Sequence, residues 1–434
     1  MNKNRFFSHL LIVFYLIIFT VPAYWLLRDH HQPAWSLMEY RYLSEFPKFP
    51  MQRLRSSAKQ IVELNQPMAA MVALSQQLQE DDYPGLIEIA ASDLFPMRSV
   101  WIQFSHGFDR LMIRMGYMFT EDPAIPARMS MTGYKIFETR EAIPSLFYYP
   151  SGYRTNNLEN INETIENYRA LIQAYPNINF YVYNLELIAQ SIANPLNSQL
   201  SSPVSGQYTD YFVSQIPDQL NFEAFRLHSF EDQQRYFFRT DHHWNIHGSL
   251  YAYDALYKML KTNYPGISPE LPLDQLYVFP DIRFQGSMAR RTAYQVQPAD
   301  SFEVAMIDFP PYRILDIDGN ELNLNSMDEY FAGTYSTKPF TDHYVEFYGP
   351  DTVFHEYIFE NGTDRNLLII GDSYVNSIEM LLASHYHHTY VADIRNFPDN
   401  TLSLSDFLAD NPVDDILFLG GPSQTIMHEW TITP

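Results

Sequence analysis

The C-terminal third of the chain restricts the fold most tightly. Leu367 to Ile370 is a short aliphatic run that stops at Gly371, and Asn366–Ile370 reads as a buried strand. Tyr374–Tyr386 then reads as a helix, His388–Ile394 as a strand, Leu402–Leu408 as a helix, and Asp415–Leu419 as a strand before Gly420-Gly421. Strands that alternate with helices imply crossover connections, hence a parallel sheet covered on both faces with right-handed crossovers. The class is α/β. Functional groups in such sheets gather at the carboxyl ends of the strands. Gly371-Asp372-Ser373 falls at that end, so Ser373 is offered beside a helix start as a candidate nucleophile.

A serine nucleophile needs a base, and the base needs an orienting carboxylate. Thr240-Asp241-His242-His243-Trp244-Asn245 supplies both. Neighbouring side chains in an extended segment point opposite ways, so only one histidine can face the serine. Asp241 and His243, two apart, share a face. This makes His243 the expected base, Asp241 its orienter, and His242 a residue pointing elsewhere. The Ser373 N–H at a helix start is one oxyanion donor, and Asn376, one turn on, is a candidate second. His243 and His247 have the spacing of two metal ligands on a helix. Asn245 reads as the helix cap, however, so His243 precedes the regular helix and the two do not share a face; neither metal nor cofactor is expected. The His385, His387 and His388 group reads as packing or surface. Arg395 ends a strand on the same edge, where it either holds a substrate oxygen or forms a structural ion pair. Tyr344 and Tyr348, before Gly349, either line a substrate groove or pack.

Before these blocks, Gln52–Gln79 and the stretch from Ala90 to Tyr117 have helical periodicity, with Pro67 interrupting the first. Asn157–Tyr175 reads as helix, Ile178–Leu187 as strand, and Trp244–Tyr264 as helix with Asn245 as N-cap. Between about 266 and 362 prolines and glycines are frequent. EVAMIDF, YRILDI and HYVEFYG read there as strands of a β-rich insertion, a cap or small sandwich.

The N-terminus carries an address. Lys3 and Arg5 precede an almost wholly apolar run from Phe6 to Leu27. As a helix it spans roughly 33 Å, enough to cross a bilayer. Tyr24 and Trp25 lie near its far end, where aromatic belts sit. Residues 1–27 are therefore expected to be an uncleaved signal anchor, with cleavage after Val21-Pro22-Ala23 as the rival. Residues 28–50 follow as a linker, and 51–434 as the domain on the outer side of the cell membrane. The formal charge of −23 and the lack of a basic patch exclude nucleic acid as a partner. An anionic polymer is repelled too, unless a local groove is basic; a neutral or partly cationic glycan is not. There are no cysteines, which removes disulfides and thiolate chemistry.

Thr240 to Asn245, followed by Gly248, resembles the signature of the bacterial DHHW protein family, which is similar to the alginate O-acetyltransferases with their Asp-x-His-Trp motif. Glu39-Tyr40-Arg41-Tyr42-Leu43, Asp93 to Arg98, Leu368 to Tyr374, His385-Tyr386 and Asp393-Ile394-Arg395 resemble further blocks of that family. The resemblance covers most of residues 35–420. It implies a circularly permuted SGNH-hydrolase-like domain, with the Asp-x-His block preceding the serine. It carries a triad onto Asp241, His243 and Ser373, and implies acyl transfer to a hydroxyl of a cell-surface or secreted polysaccharide. It also implies a membrane-bound O-acyltransferase as partner. His242 stands at the motif's variable position. The other readings are a carbohydrate esterase using the same triad with water, and a non-catalytic glycan-binding scaffold.

Overall fold

The computed structural model describes residues 158–186, 205–273, 275–292, 298–338, 340–397, 400–427 and 431–433, with short pieces at 35–36, 41–42, 124–129, 135–139 and 144–147 and scattered positions between 105 and 119. The chain divides into two compact units, Met1–Leu111 and Met112–Pro434. In the first, Trp35–Ser36 pairs antiparallel with Arg41–Tyr42. The expected anchor at 6–27 and helix at 52–79 lie outside the described residues, as does most of the stretch from 90 to 117. Among the described residues no helix is long and apolar enough to cross a membrane.

The second unit is built on a seven-stranded sheet. Its strands, numbered here in chain order, are β1 (Asn179–Leu185), β2 (Leu220–Phe225), β3 (Tyr312–Asp316), β4 (Phe354–Phe359), β5 (Asn366–Gly371), β6 (His388–Ala392) and β7 (Asp415–Gly420). Their spatial order is β3-β4-β6-β5-β7-β1-β2. The five strands from β6 to β2 are mutually parallel. β4 alone runs the other way, antiparallel to both β6 and β3. The C-terminal pattern thus folds as its alternation predicts, with β5 central and Leu368 opposite Tyr390 on one side and Ile416 on the other.

Alternation within the central strands divides the core. Tyr181, Leu367, Ile369, Leu417 and Leu419 face one way, against helix α4 (Ile246–Asn263) and helix α7 (Glu379–Ala383). Phe180, Leu368, Ile370, Ile416 and Phe418 face the other, against α1 (Leu158–Ala174), α2 (Ser205–Gln215) and α8 (Leu404–Asp410). Helix α3 (Phe230–Tyr236) leads into the Asp-x-His block, α5 (Ser287–Thr292) follows α4 in the chain, and α6 (His343–Tyr348) precedes β4.

Three expectations need correction. HYVEFYG is helix α6, not a strand. Its alternation also satisfies helical spacing, because Tyr344, Phe347 and Tyr348 bury one face, and the Asp342 side chain caps it by accepting from the Val345 N–H. The expected helix 374–386 is broken into a 3₁₀ turn, Val375–Ser377, and α7. The segment 266–362 is a mixture of short helices and strands. Tyr312–Asp316 and Phe354–Phe359 extend the large sheet, while Leu276–Val278 pairs with Glu303–Ala305. A third, mainly aromatic cluster, including Phe279, Phe302, Phe347 and Tyr348, packs within it.

Candidate active site

Ser373 stands two residues beyond the end of β5, on the turn that enters Val375–Ser377. The turn is shaped by Asp372, whose carboxylate accepts from the N–H groups of Tyr374 and Gly421 and whose carbonyl accepts from the Val375 N–H. Burial raises the Asp372 carboxyl above its ordinary value, against the opposing pull of Arg395. Gly371 has no room for a side chain, since a Cβ there would meet the Leu419 carbonyl oxygen at 2.5 Å.

The Asp-x-His block meets this turn from the segment between α3 and the start of α4. Its start is clamped by Asp300, which accepts from the Thr240 N–H and hydroxyl at 2.8 and 2.7 Å and pairs with Arg239. Its end is set by Asn245, which caps α4 by accepting from His247 N and Gly248 N. Trp244, fully buried, donates from Nε1 to Ser377 Oγ at 2.7 Å and ties the block to the turn after Ser373.

Between these anchors three side chains line up. His243 Nε2 lies 2.7 Å from Ser373 Oγ, and His243 Nδ1 lies 2.6 Å from Asp241 Oδ1. Asp241 is 1% exposed and His243 5%. Asp241 Oδ1 also accepts from the His243 N–H, and Oδ2 accepts from the Ser287 N–H at the start of α5. Burial would raise the Asp241 carboxyl, but His243, His242 and Arg290 outweigh it and hold the group well below its ordinary value. A carboxylate fixed as an anion beside Nδ1 holds the imidazole with Nε2 free to accept a proton from the hydroxyl. Among the described residues the Ser373 N–H makes no hydrogen bond, so it is available to a developing oxyanion.

Several further groups support this line of side chains, most of them without a signal in the sequence. Tyr344 stacks flat on His243, with ring centroids 4.1 Å apart and planes 4° apart, and its hydroxyl donates to the Ser373 carbonyl at 3.0 Å. Tyr374 sits edge-on to His243 and donates to the His242 carbonyl. Gly286 passes so close that a Cβ would fall 2.3 Å from the Asp241 carboxylate. Arg290, 1% exposed, pairs with Asp342, the cap of the helix that carries Tyr344. Arg290 thereby joins the wall behind Asp241 to the ring that covers His243. Only Tyr344 had a sequence signal, as a tyrosine near Gly349.

The remaining candidates are placed differently. The Asn376 amide donates to the Gly349 carbonyl at 2.9 Å and to Asp351, so both its hydrogens are committed away from the serine. Arg395 forms a bidentate pair with Asp393, with Asp351 at 3.5 Å, and takes the structural role. Tyr348 packs against Tyr344 and Phe347 and also lines an adjoining cavity. His242 does not point away from its neighbour. Its ring lies 3.9 Å from that of His243, with Nδ1 2.6 Å from Ser287 Oγ. Asp241, His242 and His243 each bring a possible metal-ligand atom within 4.8 Å of the others. Both His243 nitrogens are already engaged, with Asp241 and Ser373, so an ion there and the serine–histidine contact exclude each other. His247 turns to Glu303 at 3.1 Å and does not converge with His243. His385 is buried between the hydroxyls of Tyr253 and Ser268, and His387 and His388 pair with the Phe359 carbonyl and Glu356.

Comparison with solved structures gives the same fold at low sequence identity. Bacillus cereus PatB1 with a sulfonyl adduct matches at TM-score 0.52 and 15% identity, over 68% of this chain and 99% of that one. A DHHW family protein from Eubacterium siraeum matches at TM-score 0.51 and 17% identity, over 72% and 99%. Bacillus cereus PatB1 in a second structure matches at TM-score 0.50 and 18% identity, over 67% and 97%. No protein-family model and no curated protein matches the chain.

Proposed function

We propose that the chain is an O-acetyltransferase that carries an acyl group on Ser373 and passes it to a hydroxyl of a cell-surface or secreted polysaccharide. The observation that supports this is the unbroken run of contacts from Ser373 Oγ through the His243 ring to a buried, ionised Asp241. In the first step Ser373 Oγ attacks the acyl carbonyl while His243 Nε2 takes its proton. The oxyanion meets the Ser373 N–H, and the intermediate collapses as His243 returns the proton to the leaving group. In the second step a sugar hydroxyl attacks the acyl-serine, gives its proton to His243, and leaves as the ester while Ser373 regains its hydrogen. Asp241 stabilises the imidazolium in both steps and stays ionised. Tyr344 holds the ring plane.

The resemblance to the DHHW family and the alginate O-acetyltransferases supports the polysaccharide acceptor and a membrane-bound O-acyltransferase as donor partner. The cationic and apolar N-terminus supports a single-pass anchor with the domain on the outer side. With water in place of the sugar the same steps describe a carbohydrate esterase, a reading favoured by the partial exposure of Ser373. Incubation with an aryl acetate, with and without an oligosaccharide, separates them. Acetylated sugar supports transfer, free acetate alone supports hydrolysis, and no Ser373-dependent turnover refutes both and leaves a glycan-binding scaffold.

A further inference from the structure

We propose that the acceptor polymer lies in a trough that starts at Asn376 and Ser377 and runs past Tyr348, Phe331 and Tyr312 to Glu321, and that it is an uncharged or amine-bearing glycan, not a polyuronate. This deepens, and rests on, the acyl-transfer reading. Two adjacent cavities form the trough, of about 260 and 330 Å³, and Tyr312, Met327 and Asp328 line both. Its end at Asn376 and Ser377 is the one nearest Ser373 in the chain. Asn376 and Ser377 belong to the turn that follows Ser373, and the Tyr348 ring lies 5.1 Å from that of Tyr344, whose hydroxyl bonds the Ser373 carbonyl. A trough that begins at the turn after the reacting serine suits a polymer, whose neighbouring sugars need a bed; a small acceptor needs none.

The lining specifies the chemistry. Phe331 is 46% exposed and Tyr312 39%; Tyr312 stacks on Phe359 and Phe331 packs on Phe279 and Phe347, and each ring keeps part of its surface in solvent. Half-exposed aromatic rings of this kind match the C–H face of a pyranose ring. Around them stand Glu321, Asp328 and Glu329 against a single cation, Arg313. None of the four forms an ion pair among the described residues. Carboxylates only accept hydrogen bonds, so they call for hydroxyl or ammonium donors on the ligand. A chain of uronic acids would bring like charge against them and against a protein of net charge −23.

The test titrates the full chain carrying Ser373→Ala with three probes by calorimetry: an N-acetylglucosamine oligomer, its partly de-N-acetylated form, and an oligogalacturonate. The first two should bind and the third should not, with added salt weakening only the amine-bearing probe. Phe331→Ala and Tyr312→Ala, with the melting temperature checked, should each weaken binding by about tenfold, the size of one aromatic contact. Asp328→Asn should remove most of the preference for the amine-bearing oligomer. Uronate binding as tight as that of the neutral probe overturns the proposal, as does binding of none of the three or an unchanged affinity in both aromatic variants. Turnover of an aryl acetate by the wild type decides the acyl-transfer reading separately, so the two failures are distinguishable.

Discussion

Gly286→Ala is the substitution whose effect follows most directly from the geometry. Gly286 lies 45 residues beyond Asp241 in the chain, yet a methyl group there would stand 2.3 Å from both the Asp241 Cβ and Oδ2. An ordinary contact needs about 3.5–4.0 Å, so one side must retreat by more than about 1 Å. Asp241 cannot retreat alone, because its carboxylate holds His243 Nδ1, the His243 N–H and the Ser287 N–H. The strain therefore passes into the imidazole. A misplacement of about 1 Å at a reacting group costs on the order of 100-fold, about 2.7 kcal/mol in the barrier. The assay is kcat/KM for an aryl acetate, with Gly266→Ala as the control. A Cβ at Gly266 meets only the edge of Tyr264, at 3.5 Å, so the control should match the wild type. If Gly286→Ala keeps activity within about threefold of wild type, the packing of this loop on Asp241 does not set the histidine's position.

Arg290→Met should lower stability by about 3–5 kcal/mol, because it leaves Asp342 without its buried partner. It also removes one of the charges that hold Asp241 down, so the acid limb of the pH–rate profile should move to higher pH in any fraction that folds. Tyr344→Phe keeps the ring on His243 but loses the bond to the Ser373 carbonyl, a loss of about 1 kcal/mol; Tyr344→Leu removes the stacked ring as well and should cost more in kcat than in KM. Burial lowers His385 and His343 to about 4, His343 with help from Arg290. Below pH 6.5 the unfolded chain binds protons there that the native state refuses, so stability should fall by about 1.4 kcal/mol per pH unit for each histidine down to about pH 4. His385→Gln, read by urea unfolding across that range, should remove one of the two contributions; an unchanged slope would contradict the assignment.

The parts of the site that lie close in the chain, or on regular strands, were legible. An aliphatic run ending in Gly-Asp-Ser specifies a strand end, and Asp-x-His puts two groups on one face. The supporting wall was not, because nothing local in Gly286, Ser287 or Arg290 announces contact with a carboxylate some 45 residues away. HYVEFYG misled because its letters satisfy both a period of two and helical spacing, and the cap at Asp342 decides between them. Arg395 and Asn376 were placed on the right edge of the sheet, but neighbours absorb them. Asp393 takes the guanidinium, and the Gly349 carbonyl, at a positive-φ turn that only glycine adopts readily, takes the amide.

Catalysis by this triad requires covalent chemistry at one hydroxyl. Rapid quenching of the protein with an aryl acetate, followed by peptide mass spectrometry, should find a single acetyl group on Ser373. That signal should be absent in Ser373→Ala and strongly reduced in His243→Ala. An acetyl group on another residue, or none on Ser373 while the wild type turns the substrate over, would contradict it.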